Sequence, residues 1–364
     1  MKVALVCDWL LSLGGAERVV VAVHEMYPKA SIFTSQYDPV SIEWIKGADI
    51  RVGWLNKLSP KLKKFLPILR ARYFSRLDLT EYDLVISLNC SEAKAVKTRA
   101  HAVHICYMQG PPTQYYWGMY DYYLKNPSFG KFDWLGRIGL KLFVRRQRKL
   151  DYKFSQNPDY MIANSTYVSK EIKKYYHRDS VVITPGVGVE EFHNNAKRKR
   201  DGFIIAGRQV PWKKVDLAIR ACIKTGDKLT VLGYGSEHDK LIKLASGHDN
   251  IKVLSRYTAT EYLEHLIVSE GFIFPSIEPF GITPVEAMAA GVPVIALKRG
   301  GALDIVQEGK NGIFFEKQTV SDLVNAIKRF KKTKFDKKTI VKSANKFSNE
   351  NFKKQMAQFI KSVH

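Results

Sequence analysis

The stretch Phe274-Pro275-Ser276-Ile277-Glu278-Pro279-Phe280-Gly281-Ile282-Thr283-Pro284-Val285-Glu286-Ala287-Met288-Ala289-Ala290-Gly291 changes character twice. The apolar run Gly271–Phe274 leads into it and reads as a buried strand. Pro275, Pro279 and Gly281 then interrupt any regular structure. The alanine-rich remainder reads as a helix, with Thr283 as N-cap and Pro284 in the first-turn position. A helix start presents unpaired backbone N–H groups and a partial positive charge. At the carboxyl end of a parallel sheet, that is a site ready for a diphosphate.

The same alternation extends in both directions. Short apolar runs separated by amphipathic stretches are the pattern of an α/β fold with parallel sheets. Strands are expected at Val3–Cys7, Leu84–Ser87, Val103–Cys106, Tyr160–Ala163 and Val181–Thr184. After the turn-rich Pro185–Val189 and the charged Lys197-Arg198-Lys199-Arg200-Asp201, the pattern restarts. Further strands are expected at Phe203–Ala206, Leu229–Leu232, Ile251–Leu254, Gly271–Phe274 and Val292–Ala296, and a last helix near Asn351–His364. Two Rossmann-like α/β units account for 364 residues, too many for one ordinary core. The expected division is 1–187, 188–346 and a terminal segment 347–364.

No apolar run approaches the ~20 residues that a membrane-spanning helix needs. Asp8 interrupts the first apolar run, which is expected to be a strand rather than a cleaved leader. Cys7, Cys90, Cys106 and Cys222 are widely spaced, which argues against a disulfide framework or a zinc site and suits a reducing cytoplasm. Against 35 acidic residues stand 58 basic ones, a formal charge of +23. Such an excess attracts an anion, whether nucleic acid, lipid headgroup or phosphorylated ligand.

Glu278 and Glu286 admit ordinary readings. Thr283-x-x-Glu286 is also a capping box, and Glu278 taken alone is a solvated loop acid. Arg208 and Lys213, in Gly207-Arg208-Gln209-Val210-Pro211-Trp212-Lys213-Lys214, taken alone are two surface cations after a strand. Gly14-Gly15, Gly233-x-Gly235 and Gly300-Gly301, each taken alone, are turn signals.

Together these strings resemble the retaining GT-B glycosyltransferases of family four. Glu278 and Glu286 match that family's E-x7-E signature. Arg208 and Lys213 match its G-R-x-x-x-x-K-G signature, with Lys214 in place of the final glycine. Gly14-Gly15-Ala16-Glu17-Arg18 resembles the N-terminal glycine loop. The resemblance extends over nearly the whole chain. It implies two Rossmann-like domains facing a cleft, the first binding the acceptor and the second the donor, with the last helix crossing back onto the first. It further implies that Arg208 and Lys213 neutralise the donor diphosphate, that Glu286 holds the ribose, and that Glu278 with Phe280, Gly281, Ile282 and Thr283 meets the transferred sugar. Gly15 would lie on the donor side, and Glu278, Arg208 and Lys213 would carry the catalysis. This form of the acidic string is most similar to bacterial mannosyltransferases of cell-surface polysaccharide or glycolipid assembly, which implies GDP-mannose as donor. UDP-sugars stay open.

The chain departs from the family at Gln109, in Tyr107-Met108-Gln109-Gly110-Pro111-Pro112, where relatives carry histidine. Glutamine can donate to a sugar hydroxyl but cannot act as a base. His101 and His104, just upstream, have the spacing of structural residues in a strand. With no Asp-x-Asp anywhere, neither a metal nor any other cofactor is expected.

Two basic stretches bear on location. Lys57, Lys61, Lys63, Lys64, Arg70, Arg72 and Arg76 alternate with Leu58, Leu62, Phe65, Leu66, Leu69 and Tyr73 at helical spacing, and 141–149 is similar. They read either as membrane-interface helices or as core helices with a charged solvent face. A lipid-linked or polysaccharide acceptor would favour a cytoplasmic enzyme, peripheral on the inner face of the membrane. A nucleic-acid-binding protein would explain the charge but not the two glutamates, so no nucleic-acid partner is expected. A sugar-nucleotide epimerase of the same fold stays open. A dehydrogenase lacks its Gly-x-Gly-x-x-Gly after the first strand.

Overall fold

In the computed structural model the apolar runs pair into two all-parallel sheets, each in its own unit. The structure describes every residue except Leu13, Lys46, 60–65, 89–90, Tyr115, 127–129 and 194–198. Pro60 to Phe65 of the first basic stretch, Cys90, Lys197 and Arg198 therefore lie outside the described residues. One unit comprises Met1–Gly186 and Phe352–His364, and the other Val187–Asn351.

The first unit contains β1 (Val3–Cys7), α1 (Gly15–Met26), β2 (Ser31–Thr34), β3 (Ile50–Val52), α2 (Pro67–Phe74), β4 (Leu84–Leu88), β5 (Val103–Met108), α3 (Tyr120–Lys125), α4 (Asp133–Ser155), β6 (Tyr160–Ala163), α5 (Thr166–Tyr176) and β7 (Val181–Val182). Its strands lie in the order β3-β2-β1-β4-β5-β6-β7. Each of β1 and β4 is buried along its whole length, as central parallel strands covered on both faces must be. β2 and β3 were not expected, and neither was the last strand of the other sheet, Gly312–Phe315. β2 carries Ser31 and Thr34, and the partly exposed β3 has three residues, too few for any periodicity.

The second unit contains β8 (Phe203–Ala206), α6 (Val215–Thr225), β9 (Leu229–Leu232), α7 (His238–Ala245), β10 (Ile251–Leu254), α8 (Ala259–Ile267), β11 (Gly271–Phe274), α9 (Ile282–Ala289), β12 (Val294–Leu297), α10 (Ala302–Ile305), β13 (Gly312–Phe315), α11 (Val320–Lys332) and α12 (Lys337–Asn345). The order β10-β9-β8-β11-β12-β13 reverses between β8 and β11, and ligands of open α/β sheets bind at the carboxyl ends of such strands. This unit runs past residue 346, where the sequence placed its end, because Phe347 belongs to its core. The Phe347 ring packs edge-on against Phe280 at 5.4 Å, and its carbonyl accepts from the Val187 N–H at 2.9 Å. The last helix, α13 (Asn349–Val363), buries Phe352, Met356 and Ile360 in the apolar core of the first unit.

Two local expectations are corrected. Thr283 is not an N-cap: α9 starts at Ile282 after Gly281, whose φ of 122° is open to glycine and strained for other residues. Pro284 then takes the third helical position, where its missing N–H is one the helix start leaves unpaired anyway. The basic stretch 57–76 is not one helix. Pro67 opens α2, and Arg70, read as part of a charged face, is buried and paired with Glu92 at 2.8 Å.

Candidate active site

Gly207 and Arg208 follow β8 directly, and Pro275 to Glu278 follow β11. Because β8 and β11 are hydrogen-bonded neighbours at the reversal of strand order, their carboxyl ends open on one pocket. Gly207, Arg208, Lys213, Ser276 and Glu278 line it. Pro211–Lys213 forms a single 3₁₀ turn that returns the Lys213 amine to Glu278. Lys213 Nζ lies 2.5 Å from Glu278 Oε1, which also accepts from Ser276 Oγ at 2.7 Å. Both charged side chains are about one-fifth exposed (21% and 18%), so the pair is reachable from solvent. Arg208 is exposed at the rim.

The expected glycine of the basic string is Lys214, and its backbone explains the expectation. Lys214 sits at φ 53°, ψ 38°, left-handed, and only His177 among the other described non-glycine residues has positive φ. The position asks for glycine and holds lysine at a local cost.

Glu286 is nearly buried in α9 and accepts from Tyr262 Oη at 3.0 Å. It sits past the third helical position and does not form the capping box. Phe280 and Gly281 are buried, and Ile282 and Thr283 are half-buried in the first turn of α9. The structure thus brings Arg208, Lys213 and Glu278 together around one pocket, with 280–283 continuing the same loop into α9.

Gly15 and Gln109 belong to the first unit. Gly15 opens α1, and Gln109 Nε2 donates to the Ala16 carbonyl at 3.1 Å, so these two are neighbours. Asn164 Nδ2 donates to the Gln109 carbonyl at 2.7 Å. His104 is structural. Its Nε2 lies 2.9 Å from Ser87 Oγ, and full burial pushes its pKa down to about 3. His101 is exposed.

Two glycine pairs that read in the sequence as simple turn signals pack against the loops of the pocket. A Cβ on Gly233 would lie 1.9 Å from the Gly207 carbonyl oxygen, and one on Gly235 2.4 Å from that of Gln209. On Gly300 a Cβ would meet the Glu278 carbonyl oxygen at 2.6 Å, and on Gly301 that of Phe280 at 2.2 Å. The Gly301 N–H donates to the Glu278 carbonyl at 2.9 Å. Each pair packs closely behind a loop that contributes residues to the pocket. The signal in the sequence was a glycine pair just after the strand beside each wall.

The first unit holds a second polar cluster with no motif to announce it. Asp151 pairs with fully buried Lys94 at 2.7 Å and accepts from Thr113, Trp117 and Tyr176 at 3.0, 2.6 and 2.8 Å. Burial works against the Lys94 charge, yet the Asp151 carboxylate holds its pKa well above the ordinary lysine value. No helix among the described residues is long and apolar enough to cross a membrane.

Residues 188–354 match the family model described as glycosyl transferases group 1. An uncharacterized glycosyltransferase of Methanocaldococcus jannaschii, MJ1178, is 28% identical over 197 residues, 53% of this chain and 56% of that protein. The chain spans about half the length of most of the curated relatives it matches. An alignment covering 96% of it and 94% of the mouse (Mus musculus) alpha-1,3/1,6-mannosyltransferase ALG2 gives 23% identity. The crystal structure of Anabaena Alr3699/HepE in complex with UDP superposes with a TM-score of 0.71 at 18% identity, over 100% of both chains. The chain therefore has the fold of the two-Rossmann-domain (GT-B) glycosyltransferases, and its residues 188–354 are similar to the glycosyl transferases group 1 model.

Proposed function

We propose that this chain is a retaining, metal-independent glycosyltransferase that moves a hexose, mannose from GDP-mannose, to a lipid-linked or polysaccharide acceptor. The observation that carries this reading is the Lys213–Glu278 contact of 2.5 Å beside Arg208, at the reversal of strand order in the second sheet. Transfer to an acceptor breaks the anomeric carbon–phosphate oxygen bond, and negative charge grows on the departing nucleoside diphosphate. Two cations at that point stabilise the charge without a metal ion. In the free protein Lys213 is engaged by Glu278. An entering diphosphate competes for the ammonium and releases the carboxylate, which then accepts from the sugar hydroxyls.

Glu286, already steadied by Tyr262, is proposed to accept the ribose hydroxyls. The backbone of 280–283 is proposed to lie against sugar and phosphate. Gln109, tied to the start of α1 beside Gly15, is proposed to orient a sugar hydroxyl. Since an amide takes no proton, the acceptor's proton goes to the leaving phosphate oxygen as the new bond forms on the same face. Likeness to a mannosyltransferase along nearly the whole chain supports mannose. A lipid-linked acceptor places the protein peripherally, on the cytoplasmic face of a membrane.

A UDP-sugar donor is the second reading, favoured by a structural neighbour determined with UDP-glucose. Thermal-shift titration with GDP-mannose, GDP, UDP-glucose and a short DNA duplex separates the readings, since a ligand of the folded state raises Tm by mass action. The expected result is a shift with GDP and GDP-mannose that Lys213→Ala abolishes. A shift with UDP-glucose alone replaces the donor. A shift with DNA alone, lost in salt, overturns the transferase reading.

A further inference from the structure

The N-terminal half of α4 exposes large apolar side chains that the fold does not use. Phe132, just before it, and Trp134, Leu135, Ile138, Leu142 and Phe143 are all exposed, Trp134 by 57% and Leu142 by 70%. With 3.6 residues per turn, Trp134, Leu135, Ile138 and Leu142 fall within one arc roughly 100° wide. The side of α4 that is buried is a different one: Val144, Gln147, Asp151 and Ser155. By the same spacing its centre lies roughly 150° around the helix from the apolar arc. The C-terminal half of α4 is therefore pinned by its inner stripe, through Asp151 and its partners Lys94, Thr113, Trp117 and Tyr176. Its N-terminal half presents an apolar stripe on the opposite side.

The outward side changes chemistry along its length. Lys141, Arg145, Arg146 and Lys149 are exposed there, and none pairs with an acid among the described residues. No acidic residue occurs from Trp134 to Leu150. An apolar arc containing a tryptophan, continued by unpaired cations, fits the boundary between headgroups and acyl chains. There the apolar side chains leave water while the cations meet lipid phosphates. A second copy of this chain would set these cations against their own kind, at a like-charge cost.

We propose that the outward face of α4, Trp134 to Lys149, is the surface on which this chain docks to an anionic lipid bilayer. The inference rests on the peripheral location proposed above and names the element responsible. The full chain is to be sedimented with phosphatidylcholine vesicles, with and without phosphatidylglycerol, at low and high salt. Wild-type protein is expected to pellet with the anionic vesicles at low salt. The triple variant Trp134→Ser/Ile138→Ser/Leu142→Ser is expected to lose about tenfold or more in partitioning, equivalent to about 1.4 kcal/mol. The variant Lys141→Gln/Arg145→Gln/Arg146→Gln/Lys149→Gln is expected to lose its preference for phosphatidylglycerol. All the replaced side chains are exposed, so an unchanged melting temperature verifies the fold of both variants.

Wild-type protein left in the supernatant, or a triple variant that pellets like wild type, overturns the proposal. So does a wild-type dimer that the triple variant converts to monomer, since the face would then bind a second copy. The GDP-mannose and UDP-glucose thermal shifts are read on the same samples. Absence of a shift with GDP-mannose and with UDP-glucose, with vesicle binding intact, removes the transferase reading alone, and the reverse pattern removes docking alone.

Discussion

Glu278 is held by two donors on one oxygen, Lys213 and Ser276, and that arrangement separates its contribution to stability from its contribution to turnover. Glu278→Gln keeps the shape and the acceptor oxygen but removes the charge. The pair is partly solvated, so its loss is expected to cost stability on the order of 1 kcal/mol. Turnover is expected to fall about a hundredfold or more, because the carboxylate proposed to hold the hydroxyls of the transferred sugar fixes the geometry of the reacting centre. Steady-state transfer rates beside melting curves check both halves, and unchanged turnover removes Glu278 from the site. Lys214 makes the contrasting case. Its left-handed backbone costs about 1–2 kcal/mol for a residue with a Cβ, while glycine forfeits about 0.5–1 kcal/mol to the flexibility of the unfolded chain. Lys214→Gly is therefore expected to leave Tm unchanged or slightly raised and the nucleotide shift intact. A loss of that shift would mean that the Lys214 charge also serves the diphosphate. The acids and cations were legible because their types and spacing are chemical requirements. The left-handed turn was legible only as an apparent substitution.

At the scale of elements, the pocket walls depend on glycines in neighbouring loops. Gly301 has an ordinary helical φ of −65°, so Gly301→Ala introduces no backbone strain. Its Cβ would instead fall 2.2 Å from the Phe280 carbonyl oxygen, and the 278–280 loop must move. We expect a stability loss of about 1–3 kcal/mol. Activity should fall by more than that loss explains, since a shift of ~1 Å at a reacting centre costs about a hundredfold. Kinetics at a temperature where the variant is fully folded distinguish the two, and wild-type rates there would show that the loop tolerates the methyl group. Strands β4 and β5 yield a pH prediction. His104 is buried and neutral, its pKa pushed down to about 3 from an ordinary 6.5. The unfolded chain binds this proton and the folded one does not, so the stability it secures is present above pH 6.5 and is lost as pH falls toward 3. Between pH 6.5 and 5 this group alone should cost about 2 kcal/mol. His104→Gln should flatten that limb in urea melts, and equal slopes for both proteins would place the acid sensitivity elsewhere. The strands read correctly were continuous apolar runs, although one such run, Gly312–Phe315 of β13, was not among the expected strands. β2 and β3 escaped because two polar residues and a three-residue length leave no pattern to read. The start of α9 shifted because Gly281, rather than a side-chain cap, begins it.

At the scale of the whole molecule, two α/β units followed from the restart of the strand pattern after the charged run at 197–201, but the course of the last helix did not. Its amphipathic spacing identified a helix, and only the resemblance to a family assigned it a partner. Nothing in Phe352, Met356 and Ile360 themselves tells which apolar core receives them. Packing answers this: all three lie in the core built by β1, α1 and β4, and the Phe352 ring meets Tyr107 edge-on at 5.8 Å. Lys353 adds an ion pair with Glu25 of α1. A domain's net stability is about 5–15 kcal/mol, and truncating a buried phenylalanine to alanine costs about 3–5 kcal/mol. Phe352→Ala should therefore remove a large share of the stability of the first unit, although the residue lies at the far end of the chain. The second unit keeps its own core around Phe280, Met288 and Phe347, so its melting and its nucleotide-dependent shift should persist. Calorimetry with and without GDP-mannose is expected to show one transition displaced to lower temperature and a ligand-sensitive one retained. If both transitions fall together, the two units unfold as one cooperative body, and the terminal helix stabilises the whole chain rather than the unit that buries it.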